Sequence, residues 1–209
     1  MTPVEAFAAF LAAASIVVVT PGMDTALVLR TAAAEGPGRG LLATVGIALG
    51  CLTWGASVAL GLGAILLASR AAYTVVKWAG AAYLAWLGLR MLLAPRRALA
   101  VSRGALAAGG RFEPLRRGIA SNLLNPKAGV FYVSFLPMFV PRGWPVAETV
   151  FGLCLVHIAI SVAWLALISA AAAPLGRWLA SRGVVTWLDR VTGAVFLAFS
   201  AGLAFAEPG

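Results

Sequence analysis

Charge is what this chain of 209 residues has least of. Asp, Glu, Lys and Arg make up 11% of it, against about a quarter in an ordinary soluble domain. With 62% hydrophobic residues and uncharged runs long enough to cross a bilayer, this scarcity excludes a disordered chain and a water-soluble domain. Histidine occurs once and cysteine twice. Cys51 and Cys154 sit in separate apolar runs, so neither a disulfide framework nor a cluster of soft metal ligands is expected. Gly-x-Ser-x-Gly, His-Glu-x-x-His and Gly-x-x-x-x-Gly-Lys-Ser/Thr strings are missing, which leaves a hydrolase, a zinc protease and an ATP-driven pump without a motif. The chain is read as a non-enzyme with no cofactor and no metal. Acidic residues number 7 against 16 basic ones, a net charge of +9. In a soluble protein that imbalance raises nucleic acid as a partner. Here the basic residues lie between apolar runs, so membrane orientation accounts for them and no nucleic acid is expected.

Hydropathy predicts an all-α membrane protein of six transmembrane helices: 4–29, 41–68, 71–93, 115–140, 146–173 and 184–206. No Lys or Arg precedes the run from Ala6 to Val19, which therefore reads as an uncleaved span and not a signal peptide. Arg30 and Arg39 fall in the first connection; Arg90, Arg96, Arg97, Arg103, Arg111, Arg116 and Arg117 in the third; Arg177, Arg182 and Arg190 in the fifth. Against them stand Arg70, Lys77 and Arg142. By the positive-inside rule the first, third and fifth connections are cytoplasmic and both termini face outward. The Arg/Ala/Gly-rich segment 94–112 is the one long loop, a topogenic element or a contact for anionic membrane lipids.

Two strings match position by position. Lys77-Trp-Ala-Gly-Ala-Ala-Tyr-Leu-Ala-Trp runs parallel to Arg190-Val-Thr-Gly-Ala-Val-Phe-Leu-Ala-Phe, pairing Gly80 with Gly193, Tyr83 with Phe196 and Trp86 with Phe199. The first and fourth spans also correspond, because each is broken by a proline: Thr20-Pro21-Gly22 in one and Asn125-Pro126-Lys127 in the other. The chain therefore divides into a three-helix repeat at 1–93, the loop 94–112 and a second three-helix repeat at 113–209. Three is odd, so the second copy is inverted relative to the first. Inverted repeats with interrupted helices in matching places are the signature of a secondary transporter whose site lies at the repeat interface.

Proline in a helix removes a hydrogen bond and collides with the carbonyl four residues back, and in lipid the freed groups need protein partners or a cavity. Asp24 lies beside the first break; Asn122, Asn125 and Lys127 lie around the second. A charge at the bilayer centre costs about 2.5 to 3.5 kcal/mol on the lenient insertion scale, so both charges are expected to face the interior. Asp24 suits the ammonium of an amino acid and Lys127 its carboxylate, with the half-helix ends at Pro21, Gly22 and Pro126 lining the same site. Asp24 is equally suited to exchange a proton. A direct Asp24–Lys127 pair holding the two broken helices together is a third reading. Asp24 is expected to be the single carboxylate of the membrane interior, which favours neutral over basic amino acids.

His157 reads as a buried histidine bonded to a neighbouring carbonyl, with a proton relay as the alternative. Gly36, Gly40, Gly46 and Gly50 carry small-xxx-small spacing for close helix packing, within the chain or between the subunits of a homodimer. Trp144, Trp178 and Trp187 fall at membrane interfaces.

These residues resemble the LysE/RhtB family of amino-acid exporters. The resemblance rests on Thr20-Pro21-Gly22-Met23-Asp24, the glycines from Gly36 to Gly50, Gly80-x-x-Tyr83-Leu84 leading to Gly88, and Phe112 to Gly118 followed by Asn122-x-x-Asn125-Pro126-Lys127-Ala128. Met23 departs from a pattern that often has a second proline there. The resemblance implies a carrier in the bacterial inner membrane that expels amino acids or close derivatives using the proton gradient. It implies Asp24, Asn122, Asn125, Pro126 and Lys127 as site positions. A membrane scaffold, or an exporter of another small solute, is the rival reading.

Overall fold

A computed structural model describes residues 2–68, 70–95, 110–141, 143–179 and 181–205, and among these every regular element is helical. Thr2 caps the first helix with a capping box, its hydroxyl accepting from the Glu5 amide while the Glu5 carboxylate accepts from the Thr2 amide. Helix α1 (Pro3–Val19) then runs to the Thr20-Pro21-Gly22 break, beyond which α2 (Met23–Glu35) leaves bent by 51°. The first element is therefore longer than the expected 4–29, and the segment from Arg30 to Gly40 is no loop. Only Gly36 separates α2 from α3 (Pro37–Ala68); its φ of 95° is open to glycine at little cost, and Pro37 restarts the helix where no amide partner is needed.

Helix α4 (Arg70–Leu93) follows, and residues 96–109 of the expected loop, with Arg96, Arg97 and Arg103, lie outside the described residues. The side chain of Lys77 and residue Arg142 lie outside them too. The second half opens with α5 (Glu113–Leu123) and α6 (Pro126–Val130) on either side of the Asn125-Pro126 break. After α6 the expected plain helix is not found. Residues Phe131–Phe135 form a π-helical turn and Leu136–Phe139 a 3-10 turn. Pro137 gives the reason: it has no amide to donate and its ring crowds the carbonyl one turn back, so the backbone opens upstream and tightens at the proline. Helices α7 (Val146–Ala170), α8 (Ala172–Leu179) and α9 (Arg182–Phe205) are the last among the described residues, α8 lying where only a connection was expected.

Helices α3, α7 and α9 are each long and apolar enough to cross a membrane, and the bent α1–α2 pair makes a fourth if it is taken as one span. Helix α4 contributes a shorter apolar stretch, Trp78–Leu93. The two halves of the chain interlock. Helix α3 lies against α5 and α7 of the second half, and α4 packs along α9. In lipid such contacts gain little from water exclusion and depend on close van der Waals fit, which small residues permit. A Cβ on Gly46 would overlap the Leu115 carbonyl, and one on Gly118 the Ala43 carbonyl, so the α3 and α5 backbones touch. Gly55 admits Cys154 and Gly40 admits Ser169 from α7. The glycine faces put forward for a homodimer are thus largely spent within the chain.

The two matched strings pack on each other. A Cβ on Gly88 would stand 2.8 Å from the Gly193 carbonyl oxygen, and a Cβ on Gly193 would stand 2.8 Å from that of Gly88. Ser200 Oγ donates to the Ala81 carbonyl at 2.8 Å along the same seam. Aromatic rings fill the centre: Phe10 of α1 meets Phe139 edge-on at 5.4 Å, and Phe199 of α9 meets Phe135 at 4.3 Å. At the end where α2 meets α3, Glu35 bonds Arg39 at 2.8 Å and Arg117 at 3.2 Å, and Arg117 reaches Glu113 at 3.1 Å.

Candidate functional site

Both breaks follow from local sequence. The residue before a proline is pushed out of the helical region, and Thr20 takes ψ 117°, ending α1 with its amide and hydroxyl both on the Ile16 carbonyl. Gly22, extended at φ −147°, then caps α2 with backbone alone and places Asp24 in the first turn, where the helix dipole favours a negative charge. At the second break Asn125 is the N-cap, its side-chain oxygen accepting from the Lys127 amide at 3.1 Å, with Pro126 at the first helical position.

The two breaks are bound to each other. Asp24 accepts from Ser121 Oγ at 2.8 Å, from Asn122 Nδ2 at 2.9 Å and from Asn125 Nδ2 at 3.2 Å. Three donors aimed at one carboxyl group suit its ionised, acceptor-only form. Lys127 crosses the other way, its Nζ donating to the Val17 carbonyl at 2.6 Å and the Thr20 carbonyl at 2.8 Å. Those are carbonyls that the last turn of α1 leaves without intrahelical partners, and a cation there also complements the dipole. Thr20 Oγ1 also bonds Thr192 Oγ1 of α9. Each broken helix is therefore completed by charges and amides from the opposite half. The direct Asp24–Lys127 pair gives way to separate partners for the two charges, and two of the three Lys127 donors are already engaged.

A cavity of about 60 Å³ lies at the breaks, lined by Asp24, Asn122, Asn125, Lys127 and Gly22 together with Val17, Ile47, Phe131 and Leu165. That volume holds about four waters. Of the other break residues, Pro21 is buried behind the wall and Pro126 is exposed. Asn122 is 1% exposed; its amide also bonds Cys51 Sγ at 3.3 Å, and its Oδ1 is turned toward Gly50 with no hydrogen-bond partner.

His157 lies on the cavity wall, 7% exposed. It is bonded through Nδ1 to Tyr132 Oη at 2.7 Å and stacked on Phe131 at 4.3 Å, not bonded to a backbone carbonyl as expected. Residue-by-residue reading missed Ser121, Thr20, Ser161 and Tyr132. Ser121 adjoins Asn122 and Ser161 stands one helical turn from His157, so spacing alone held a signal for both. The expectation of a single interior carboxylate is also corrected: Glu148 sits exposed in the first turn of α7, and Asp189 of α9 is 1% exposed. Asp189 does not line the cavity, where Asp24 is the one acidic residue. Among the described residues no three of His, Cys, Asp and Glu come together to hold a metal ion.

A family model described as LysE type translocator matches residues 15–207. An uncharacterized membrane protein of Vibrio cholerae serotype O1 is 30% identical, over 98% of each chain. A threonine efflux protein of Escherichia coli strain K12 is 29% identical over 88% of this chain and 90% of its own. A leucine efflux protein of Klebsiella pneumoniae is 30% identical over 93% of this chain and 92% of its own. No solved structure matches the chain.

Proposed function

The chain belongs to the LysE type translocator family, whose members are transporters and not enzymes, and from that membership we propose that it exports neutral amino acids from the cytoplasm, driven by the proton gradient. The observation that carries this reading is the cavity at the two helix breaks, where Asp24 is the lone acidic wall residue and Lys127 the basic one. The α-ammonium of the substrate sits on Asp24, which also takes the coupling proton when the substrate leaves. Asn122 and Asn125 hold that carboxylate in place, and Lys127 supplies positive potential for the substrate's carboxylate. A basic amino acid would need a second carboxylate on the wall. Leucine and threonine, which name the efflux of two relatives, both fit the single-acid requirement.

The architecture in this proposal is six spans in two inverted three-helix repeats, 1–93 and 113–209. It is supported by the two proline breaks and by the reciprocal contact of Gly88 and Gly193. The protein resides in the bacterial inner membrane, with segment 94–112 cytoplasmic and both termini outside.

The test is flux. Protein reconstituted in liposomes is offered a panel of radiolabelled amino acids with and without an imposed pH gradient, beside Asp24→Asn. Gradient-sensitive movement of neutral amino acids, lost in the variant, is expected. Flux that ignores the gradient would remove the proton coupling. No flux of any amino acid from folded protein would turn the reading toward another small solute or a scaffold.

A further inference from the structure

Helix α7 presents two polar side chains to the cavity that nothing described so far employs. His157 and Ser161 are one helical turn apart, so they share a face, and both line the cavity at 7% and 8% exposure. Ser161 Oγ has no hydrogen-bond partner among the described residues. The same holds for Nε2 of His157, whose Nδ1 is occupied by Tyr132 and whose Nε2 is not sealed within protein. Polar atoms at such burial are nearly always satisfied, so two unsatisfied ones facing the same cavity point to a ligand or to water standing in for it.

The direction of their bonds follows from the neighbours. Cys154 Sγ, 4.0 Å from Tyr132 Oη, has the Cys51 carbonyl as its nearer acceptor at 3.7 Å, and the phenol's near acceptor is His157 Nδ1 at 2.7 Å. A neutral imidazole has one donor nitrogen and one acceptor. With Nδ1 accepting from Tyr132, the proton of the ring is on Nε2, which faces the cavity as a donor. Ser161 adds a second donor, and Lys127 lines the same cavity.

Resting on the exporter reading, we infer that His157 Nε2 and Ser161 Oγ are the hydrogen-bond donors for the substrate's α-carboxylate, with Tyr132 as the positioning residue that sets the imidazole tautomer. Lys127, whose ammonium is tied to the end of α1, contributes field at that pole and the α7 pair contributes the directed bonds. The α-amino acid is thereby held at two poles on different helices, its ammonium by α2 and its carboxylate by α7.

Counterflow in liposomes, using radiolabelled leucine and threonine, measures the half-saturation concentration of whichever is carried. The matching decarboxylated amine, which keeps the ammonium and loses the carboxylate, is measured as an inhibitor of the same flux. His157→Phe and Ser161→Ala are each expected to raise the amino acid's half-saturation concentration about tenfold, as loss of a bond to a charged group does, while the amine's inhibition constant stays within about twofold. Tyr132→Phe, which frees the tautomer, raises only the amino acid's value. His157→Gln, which keeps an N–H donor near the same reach, retains most of the affinity and shows that packing is not the cause. Equal weakening of both ligands assigns His157 a structural role and overturns the inference, as does an unchanged amino-acid value in both α7 variants. Wild-type protein that carries neither amino acid sinks the exporter reading and this inference with it. Wild-type carriage with indifferent variants sinks this inference alone.

Discussion

Substituting Gly50 with alanine tests whether the glycine face of α3 is there to admit the asparagine that braces Asp24. A Cβ on Gly50 would stand 2.8 Å from both Cβ and Oδ1 of Asn122, whereas carbon atoms rest at about 3.5 to 4.0 Å. The shortfall is therefore about 0.7 to 1.2 Å. One clashing atom is the Asn122 Cβ, which no rotation of the amide can move. α3 and α5 must therefore separate, at a strain typical of overpacking, about 1 to 3 kcal/mol, and the shift loosens the 2.9 Å bond from Asn122 to the Asp24 carboxylate. The cost falls at about 1 to 3 kcal/mol. In detergent the unfolding midpoint should drop by several degrees, and reconstituted flux should fall about tenfold. Gly61 is the internal control, because a Cβ there meets nothing within 4 Å and alanine improves helix propensity by about 1 kcal/mol. If Gly50→Ala matches Gly61→Ala in both midpoint and flux, the close approach of Asn122 to α3 is not what holds the site.

The α4–α9 seam offers a coupling test: Gly88→Ala and Gly193→Ala each push the other helix's carbonyl away, so either alone should lower the unfolding midpoint. The double variant should cost clearly less than the sum, because one displacement relieves both clashes; strict additivity would refute the shared contact. Orientation is checked with Ser102→Cys. The two native thiols are buried, so the introduced one dominates labelling, and it should resist an impermeant thiol reagent in intact cells and react after lysis. Ready labelling of intact cells would invert the topology.

Features that cost energy were the ones legible in sequence. Pro21 and Pro126 announced both helix breaks because no partner can restore a missing amide, and Asp24 and Lys127 stood out because a charge among apolar residues demands an explanation. The matched strings of α4 and α9 were visible as text, and their glycines meet because close packing selects small residues at fixed spacing. Partnerships were not legible. That Lys127 ends α1, and that Tyr132 and not a carbonyl holds His157, depend on three-dimensional register that hydropathy does not carry. The π-helical turn was hidden for a related reason: Pro137 was in plain view, but the accommodation it forces falls upstream of it, among Phe131–Phe135, whose composition is that of any buried helix. Asp189 of α9 was overlooked inside an otherwise apolar run, although it is 1% exposed.

The opposite charges at the two breaks have an electrical consequence. With Asp24 as a carboxylate and Lys127 as an ammonium, the site holding a zwitterion carries no net charge, whereas the empty site that has taken the coupling proton on Asp24 carries one positive charge. A membrane potential does work of about 2.3 kcal/mol per elementary charge for every 100 mV, and it finds nothing to pull on the loaded site, only on the empty one that bears the proton. Amino-acid exchange by such a carrier is electroneutral. A current measured across the membrane during transport would therefore count protons, and its ratio to amino-acid flux would be the coupling stoichiometry.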